Sequence, residues 1–406
     1  MIVLSGADLV LANRIQSPGT LIIDEDRIDD VLPGTRAASA GVVHVDLHHH
    51  YVVPGFIDVH VHGIRGFDTL SDRNGVGEVA ASLPQFGVTA FCPTSVACGP
   101  RALSAFLTSV NELRGCTAPA GARVLPAHLE SNFINPAYRG AQPERCLRRP
   151  PLVRAAGDRS RSQGATDDLD AEALLTEIGR RRSEVGIVTL APELEGALPL
   201  IDRLIAQGHR ISLGHSGATF EEGMAGIEHG ARSATHLFNR MPPLAHRDPG
   251  LVGAVLASDR VAAELICDGH HVHPAVMQIA IAAKSPDRIM AITDGTAGSG
   301  LPAGSRAMLG DQRITVRETA AYLDDGTLAG SILTMDRAFA LLVGRAGVSL
   351  PDAAKMCSTT PARELELDGF GEIAVGKMAD LTVLDRNFEV VQTYVGGQLV
   401  YSRLKA

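Results

Sequence analysis

The 406-residue sequence predicts an α/β fold, a (β/α)8 TIM barrel over residues 54–364 carrying a small β-sandwich domain that both chain termini build, residues 1–53 and 365–406. Three observations point to it. Eight apolar, β-branched runs recur between residues 56 and 295; helix-patterned stretches separate most of them; and the two chain ends share a different texture, short alternating runs bounded by Gly, Pro and Asp.

At the N-terminus, "VLSGADLVLA", "GTLIIDEDRIDDVL" and "GVVHVDLHHHYVV" read as small antiparallel strands, and the histidine triplet at 48–50 reads as a turn. The barrel strands follow as "FIDVHVH" (56–62), "GVTAFCPT" (87–94), "ARVLPAHLE" (122–130), "GIVTLAPE" (186–193), "RISLGHS" (210–216), "SATHLFN" (233–239), "AAELICDG" (262–269) and "RIMAITDG" (288–295). Stretches such as "DAEALLTEIGRRRSEV" and "TFEEGMAGIEHG" supply the helices, and closure of eight such units into a barrel is the natural outcome. A long insertion, residues 131–185, separates the third strand from the fourth. The closing segment, "GEIAVGKMADLTVLDRNFEVVQTYVGGQLVY", returns to the texture of the first fifty residues.

Composition narrows the function. With 45% hydrophobic and 20% charged residues the chain can bury a large core, and a formal charge of −9 offers no basic surface to nucleic acid or anionic lipid. No apolar run reaches the roughly 18–20 residues that span a bilayer, and the first residues lack a basic, apolar signal-peptide pattern. Six cysteines (Cys92, Cys98, Cys116, Cys146, Cys267, Cys357) are scattered without CxxC spacing, as reduced thiols would be. The expected setting is the cytoplasm.

Polar residues collect at the C-terminal ends of the predicted strands: His60, His62, Glu130, His215, His236, Asp268 and Asp294. In a barrel those ends converge on one face, where sites are assembled from several strands. Side chains two apart in a strand share a side, so His60 and His62 point the same way. An HxH pair alone says little in a chain with 15 histidines. Imidazole and carboxylate together at several strand ends are a donor set for Zn²⁺ or a similar divalent ion.

The motifs "PGFIDVHVHG", "HLE" with "INP", "LGHSGAT", "THLFNRM", "HRDPGLVGA", "DGHHVHP", "ITDG", "AGSILTM" and "GEIAVGKMADLTVLD" carry a resemblance that extends over essentially the whole chain. On them the sequence resembles the amidohydrolase superfamily and, within it, the N-acetylglucosamine-6-phosphate deacetylase family. The resemblance implies that Glu130, His215 and His236 hold the principal metal, that Asp294 is the catalytic carboxylate and a further ligand, and that His60 and His62 offer a second metal position. It implies one or two divalent ions per chain, zinc first, with iron, manganese and cobalt as alternatives. It implies Asn239 and the Arg240 backbone beside the sugar, Arg247 on its phosphate, His271 on the phosphate of a neighbouring subunit's substrate in a homodimer, and Leu328, Ala329 and Gly330 against the ligand. Two departures stand out. The family's Gly-Pro after the glutamate is Ser131-Asn132 here, and the His expected after Gly140-Ala141, which helps polarise the acetyl carbonyl, is Gln142. Glutamine donates a neutral hydrogen bond but cannot become a cation.

The implied reaction is metal-dependent hydrolysis of the acetamido group of an N-acetylated amino sugar, N-acetylglucosamine 6-phosphate in the first place. An unphosphorylated or galacto-configured N-acetylhexosamine is the alternative substrate. Cyclic amides are disfavoured because the fourth strand, "GIVTLAPE", lacks the lysine that relatives cleaving them place there. An inactive interaction scaffold on the same fold would show lost ligands, and none is lost.

Overall fold

In a computed structural model, describing residues 1–37, 41–114, 121–152 and 165–404, all eight runs become barrel strands. They are Phe56–Val61, Val88–Ser95, Arg123–Val124 with Ala127–Glu130, Val185–Leu190, Arg210–Leu213, Ser233–Ala234, Ala262–Ile266 and Ile289–Ile292. Each pairs in parallel with the next, from the first against the second to the seventh against the eighth. The circle closes where the Asp294 amide donates to the His60 carbonyl at 2.9 Å and Val61 bridges Gly295. A helix follows every strand, beginning with Gly75–Ser82 and Pro100–Arg114 and ending with Pro274–Lys284 and Met335–Gly344. The helix after the fifth strand, Phe220–Glu228, starts in a capping box, the Thr219 hydroxyl accepting from the Glu222 amide while the Glu222 carboxylate accepts from that of Thr219.

Most strands end short of the runs read from the sequence, the fourth at Leu190, the seventh at Ile266 and the eighth at Ile292, and three others depart for a plain local reason. The third breaks at Leu125–Pro126, because proline cannot donate to the ladder. The fifth stops at Leu213 and the sixth at Ala234, since His215, His236, Phe238 and Arg240 take φ of 48°, 32°, 78° and 53°, which no strand accommodates. Between the eighth strand and its helix lies an antiparallel insert of three strands, Arg306–Leu309, Gln312–Val316 and Ala321–Leu323, to which the sequence reading assigns nothing.

Strands from both termini share one sheet. Its order is Gln398–Ser402, Val390–Val395, Leu381–Leu384, Tyr51–Pro54, Ile2–Val10, Ile15–Asp24, Arg27–Pro33, with Val43–Asp46 also on Ile2–Val10. Not every pairing is antiparallel as expected: Val43–Asp46 and Tyr51–Pro54 run parallel to Ile2–Val10. Leu4, Leu9, Leu21, Ile23, Leu381, Val383 and Tyr394 form its apolar cluster, apart from the barrel's. His48 and His49 lie in a turn, as expected. Cys116 lies outside the described residues; the other five cysteines are free. Among the described residues no helix is long and apolar enough to cross a membrane.

Candidate metal centre and substrate pocket

The first barrel strand alternates. Ile57, Val59 and Val61 pack outward while Asp58 and His60, with His62 just beyond the strand, turn into the barrel, where all three are buried. Glu130 at the end of the third strand, and His215, His236 and Asp294, each two residues beyond the end of the fifth, sixth and eighth, reach the same place, and all are buried. His215 Nε2 lies 2.6 Å and His236 Nε2 2.9 Å from Glu130 Oε1, with 3.0 Å between the two nitrogens. His60 Nε2 and His62 Nε2 are 3.2 Å apart, each 3.4 Å from Asp294 Oδ1, and His62 Nε2 is 3.4 Å from Glu130 Oε2. Three groups of three donors result, Glu130–His215–His236 and His60–His62–Glu130, which share Glu130, and His60–His128–Glu264, which joins the second through His60.

The hydrogen bonds behind the rings decide what these atoms can hold. His215 Nδ1 donates to the Tyr138 carbonyl at 2.8 Å, which leaves a lone pair on Nε2 in the neutral ring. That lone pair faces a carboxylate oxygen. His60 repeats the pattern: Nδ1 donates to Glu264 Oε2 at 2.9 Å, and its Nε2 lone pair faces His62 and Asp294. Acceptors aimed at one another inside a protein call for a cation between them, and a carboxylate or carbonyl behind a histidine ring is the usual support of a metal ligand. The donor set fits a divalent ion.

Electrostatics agrees. Burial depresses His60 to about 4, so it stays neutral as a ligand must. For His62 burial also pulls downward, but hydrogen bonds with Asp294 and Glu130 raise it to about 10: without metal, its imidazolium supplies the positive charge that the two carboxylates require. Burial pushes Glu130 and Asp294 upward, yet the neighbouring histidines outweigh it and hold both carboxyls below their usual range.

His215, His236 and Asp294 share another trait, φ between 32° and 48° at non-glycine residues. Such backbone is costly and gathers at functional sites. Gly330, at φ 61°, lets the chain pass close to Asp294: a Cβ there would lie 2.9 Å from the Asp294 carbonyl oxygen.

Above the donors opens a pocket whose lining takes in most residues singled out in the sequence: Ala141, Gln142, Asn239, Arg240, His271, Leu328 and Gly330, beside His62, Glu130, His215, His236 and Asp294. Ala329 is buried beside it, its amide donating to the Ala321 carbonyl. Arg247 is exposed and outside the lining. His271 lines the pocket of its own chain, its ring fixed by Asp268 Oδ2 at 2.6 Å. Gln142 is engaged at both ends, Oε1 accepting from the Ala97 amide at 2.7 Å and Nε2 donating to Glu130 Oε2. The Ala97 bond fixes which end of the amide faces Glu130. Of the two departures after Glu130, Ser131 Oγ donates to the Thr189 carbonyl and Asn132 Nδ2 to that of Cys98 at 2.8 Å, so both brace the loop from below.

The structure adds residues that the sequence reading passes over. Glu264, fully buried, holds His60 and accepts from the His236 amide at 3.4 Å. Beneath it His128 Nε2 bonds Thr189 Oγ1 at 2.8 Å, which meets Thr235 Oγ1 at 2.7 Å. A glutamate in the apolar run "AAELIC" was the available signal.

The chain matches the model of the amidohydrolase family over residues 51–400. It is 35% identical over 406 residues to the N-acetylglucosamine-6-phosphate deacetylase of Danio rerio, covering 97% of this chain and 92% of that protein. The chain belongs to the amidohydrolase family. This amidohydrolase is also 35% identical to the N-acetylgalactosamine-6-phosphate deacetylase of Escherichia coli O157:H7, over 85% of this chain and 86% of that one. A structure of the Mycobacterium smegmatis N-acetyl-D-glucosamine-6-phosphate deacetylase, a mutant in complex with N-acetyl-D-glucosamine-6-phosphate, superposes with a TM-score of 0.86 at 29% identity, covering 99% of each chain. The Pasteurella multocida deacetylase gives 0.86 at 27% identity, over 98% of this amidohydrolase and 99% of that chain.

Proposed function

We propose that this amidohydrolase removes the acetyl group from N-acetylglucosamine 6-phosphate, giving glucosamine 6-phosphate and acetate. The observation that carries the reading is the convergence of Glu130, His215, His236, His60, His62 and Asp294 at the floor of one pocket. Glu130, His215 and His236 hold the principal ion, zinc by donor type, and His60 and His62 hold a second. The Glu264–His60 bond favours two ions, because it presents His60 ready deprotonated toward His62. Held there, a divalent ion supplies Lewis acidity, making hydroxide available near neutral pH and polarising a carbonyl oxygen.

The protein's own groups do the rest. Asp294, kept ionised by His60 and His62, takes the proton from the attacking water and passes it to the amide nitrogen, which leaves as an amine only once protonated. Its carbonyl is fixed by the Ser331 amide at 2.8 Å and its own amide by the His60 carbonyl, so the carboxylate has little freedom to turn away. Asn239, the Arg240 backbone and the Leu328–Gly330 segment position the sugar. His271 and Arg247 serve phosphate, the exposed Arg247 and a homodimer belonging together in this reading. The free cysteines suit a reducing, cytoplasmic setting.

The test is a panel of steady-state rates on metal-reconstituted protein with N-acetylglucosamine, its 6-phosphate and the two galacto analogues. The proposal expects the gluco 6-phosphate to have the highest kcat/KM. A galacto phosphate in first place moves the enzyme to the other deacetylase class, and no acetate from any of the four defeats the reading.

A further inference from the structure

We infer that the Arg240 side chain sets the preference for a phosphorylated sugar, its guanidinium receiving the substrate phosphate at the mouth of the pocket. The inference rests on the function proposed above and gives it a residue so far credited only with a backbone contact.

Arg240 sits one residue after Asn239, on backbone turned by its φ of 53°, and lines the pocket together with His271. Two features hold it there. Nη2 donates to the Leu328 carbonyl at 3.3 Å, and the side chain lies across Gly140, where a Cβ would stand 2.5 Å from Arg240 Nε. Gly140 has φ of 58°, a conformation that favours glycine, and its missing side chain leaves the space that the Arg240 side chain occupies. The loop carrying Ala141 and Gln142 is thus shaped to let a guanidinium pass.

No carboxylate pairs with Arg240 among the described residues, and one of its five N–H donors is used by Leu328. The remaining fork matches the geometry of a phosphate, which guanidinium binds through two parallel bonds. The anchor is distinct from the segment that meets the reacting end: the Leu328 carbonyl holds Nη2, whereas Gly330, two residues on, packs against Asp294. In a hexose the 6-phosphate and the 2-acetamido group likewise stand at opposite ends of the ring. Arg247, to which the proposed function also gives the phosphate, is exposed outside this lining, so Arg240 is the arginine that the pocket itself presents beside it.

The experiment compares wild type with Arg240→Gln and Arg240→Lys, all loaded with zinc. Rates are measured on N-acetylglucosamine 6-phosphate and N-acetylglucosamine; calorimetry follows glucose 6-phosphate, which has no amide to cleave, against glucose. We expect Arg240→Gln to lose about 100-fold in kcat/KM on the phosphorylated sugar, chiefly through KM, the worth of a bidentate charge-assisted contact. Its loss on the unphosphorylated sugar should be at least about tenfold smaller than its loss on the phosphorylated one, glucose 6-phosphate binding should weaken in parallel with the latter, and Arg240→Lys should recover part of the loss on phosphorylated ligands. An unchanged preference for phosphate overturns the inference, and so does an equal kcat loss on both sugars, which would put Arg240 at the carbonyl. Wild-type protein that binds glucose 6-phosphate through Arg240 yet releases no acetate defeats the deacetylase proposal alone.

Discussion

Replacing Gln142 by leucine, of similar size, removes two hydrogen bonds at once. The Glu130 carboxylate loses a donor on Oε2 and the buried Ala97 amide loses its acceptor. A hydrogen bond to a charged group contributes about 1.5–3 kcal/mol and an orphaned buried donor costs roughly 1–3 kcal/mol. The substitution should therefore destabilise the metal-free protein by several kcal/mol, part of it offset where water reaches Ala97. More telling is the metal. Glu130 Oε1 faces His215 and His236 while Oε2 is held by Gln142, so Gln142 sets the rotation of the carboxylate about its own bond. Loss of such outer support costs about 10–100-fold in metal affinity. Competition against a chromogenic chelator measures that loss, and urea unfolding of the metal-free protein measures the stability term. Gln142 then acts through Glu130, and kcat per bound metal should change by less than about tenfold, against the 10²–10³ typical of a lost oxyanion donor. Unaltered metal affinity with a collapse of kcat would refute this and return Gln142 to the acetyl carbonyl.

Two further outcomes follow from the same geometry. His60→Ala with His62→Ala should lower the metal content toward one ion per chain and cut the rate far more than Gln142→Leu does; elemental analysis beside kinetics decides, and unchanged content and rate would make the pair packed relics. Because His62 is held up at about 10, it carries a proton at neutral pH that an incoming ion must displace, whereas His60, near 4, has none to lose. Uptake at this position should release one proton from His62, and the apparent affinity should rise about tenfold per pH unit below pH 10. Calorimetry in buffers of different ionisation enthalpy reads the proton count, and pH-independent uptake would exclude His62 as a ligand.

How far the sequence revealed all this depended on the kind of signal. The barrel was legible because eight β-branched runs and their helical spacers obey local periodicity, and the site because strand ends in such a barrel share one face. Strand lengths were not. "RISLGHS" and "SATHLFN" look continuous, but His215 and His236 leave the ladder on left-handed backbone, a tertiary demand that no propensity records. The insert from Arg306 to Leu323 was legible yet passed over, since buried Ile314 and Val316 alternate with Arg313 and Thr315 and Gly310-Asp311 is a two-residue hairpin turn between Leu309 and Gln312. Glu264 hid as one acid in an apolar strand, its meaning fixed only by the His60 ring across the barrel. At Gln142 the sequence names the side chain but not the Glu130 carboxylate that takes up one of its amide hydrogens.

The central claim is that Asp294 moves the proton at a metal-loaded floor, and the rate of acetate release by Asp294→Asn at matched metal content tests it most directly. General base and acid catalysis contributes about 10²–10⁴-fold, and an asparagine in the same place cannot take up and return a proton. The variant should fold, keep the ions held by Glu130, His215 and His236, and lose several orders of magnitude in rate on N-acetylglucosamine 6-phosphate. If it retains more than about a tenth of the wild-type rate, a difference of no more than about 1.4 kcal/mol in the barrier, the proton travels through another group and the account is wrong.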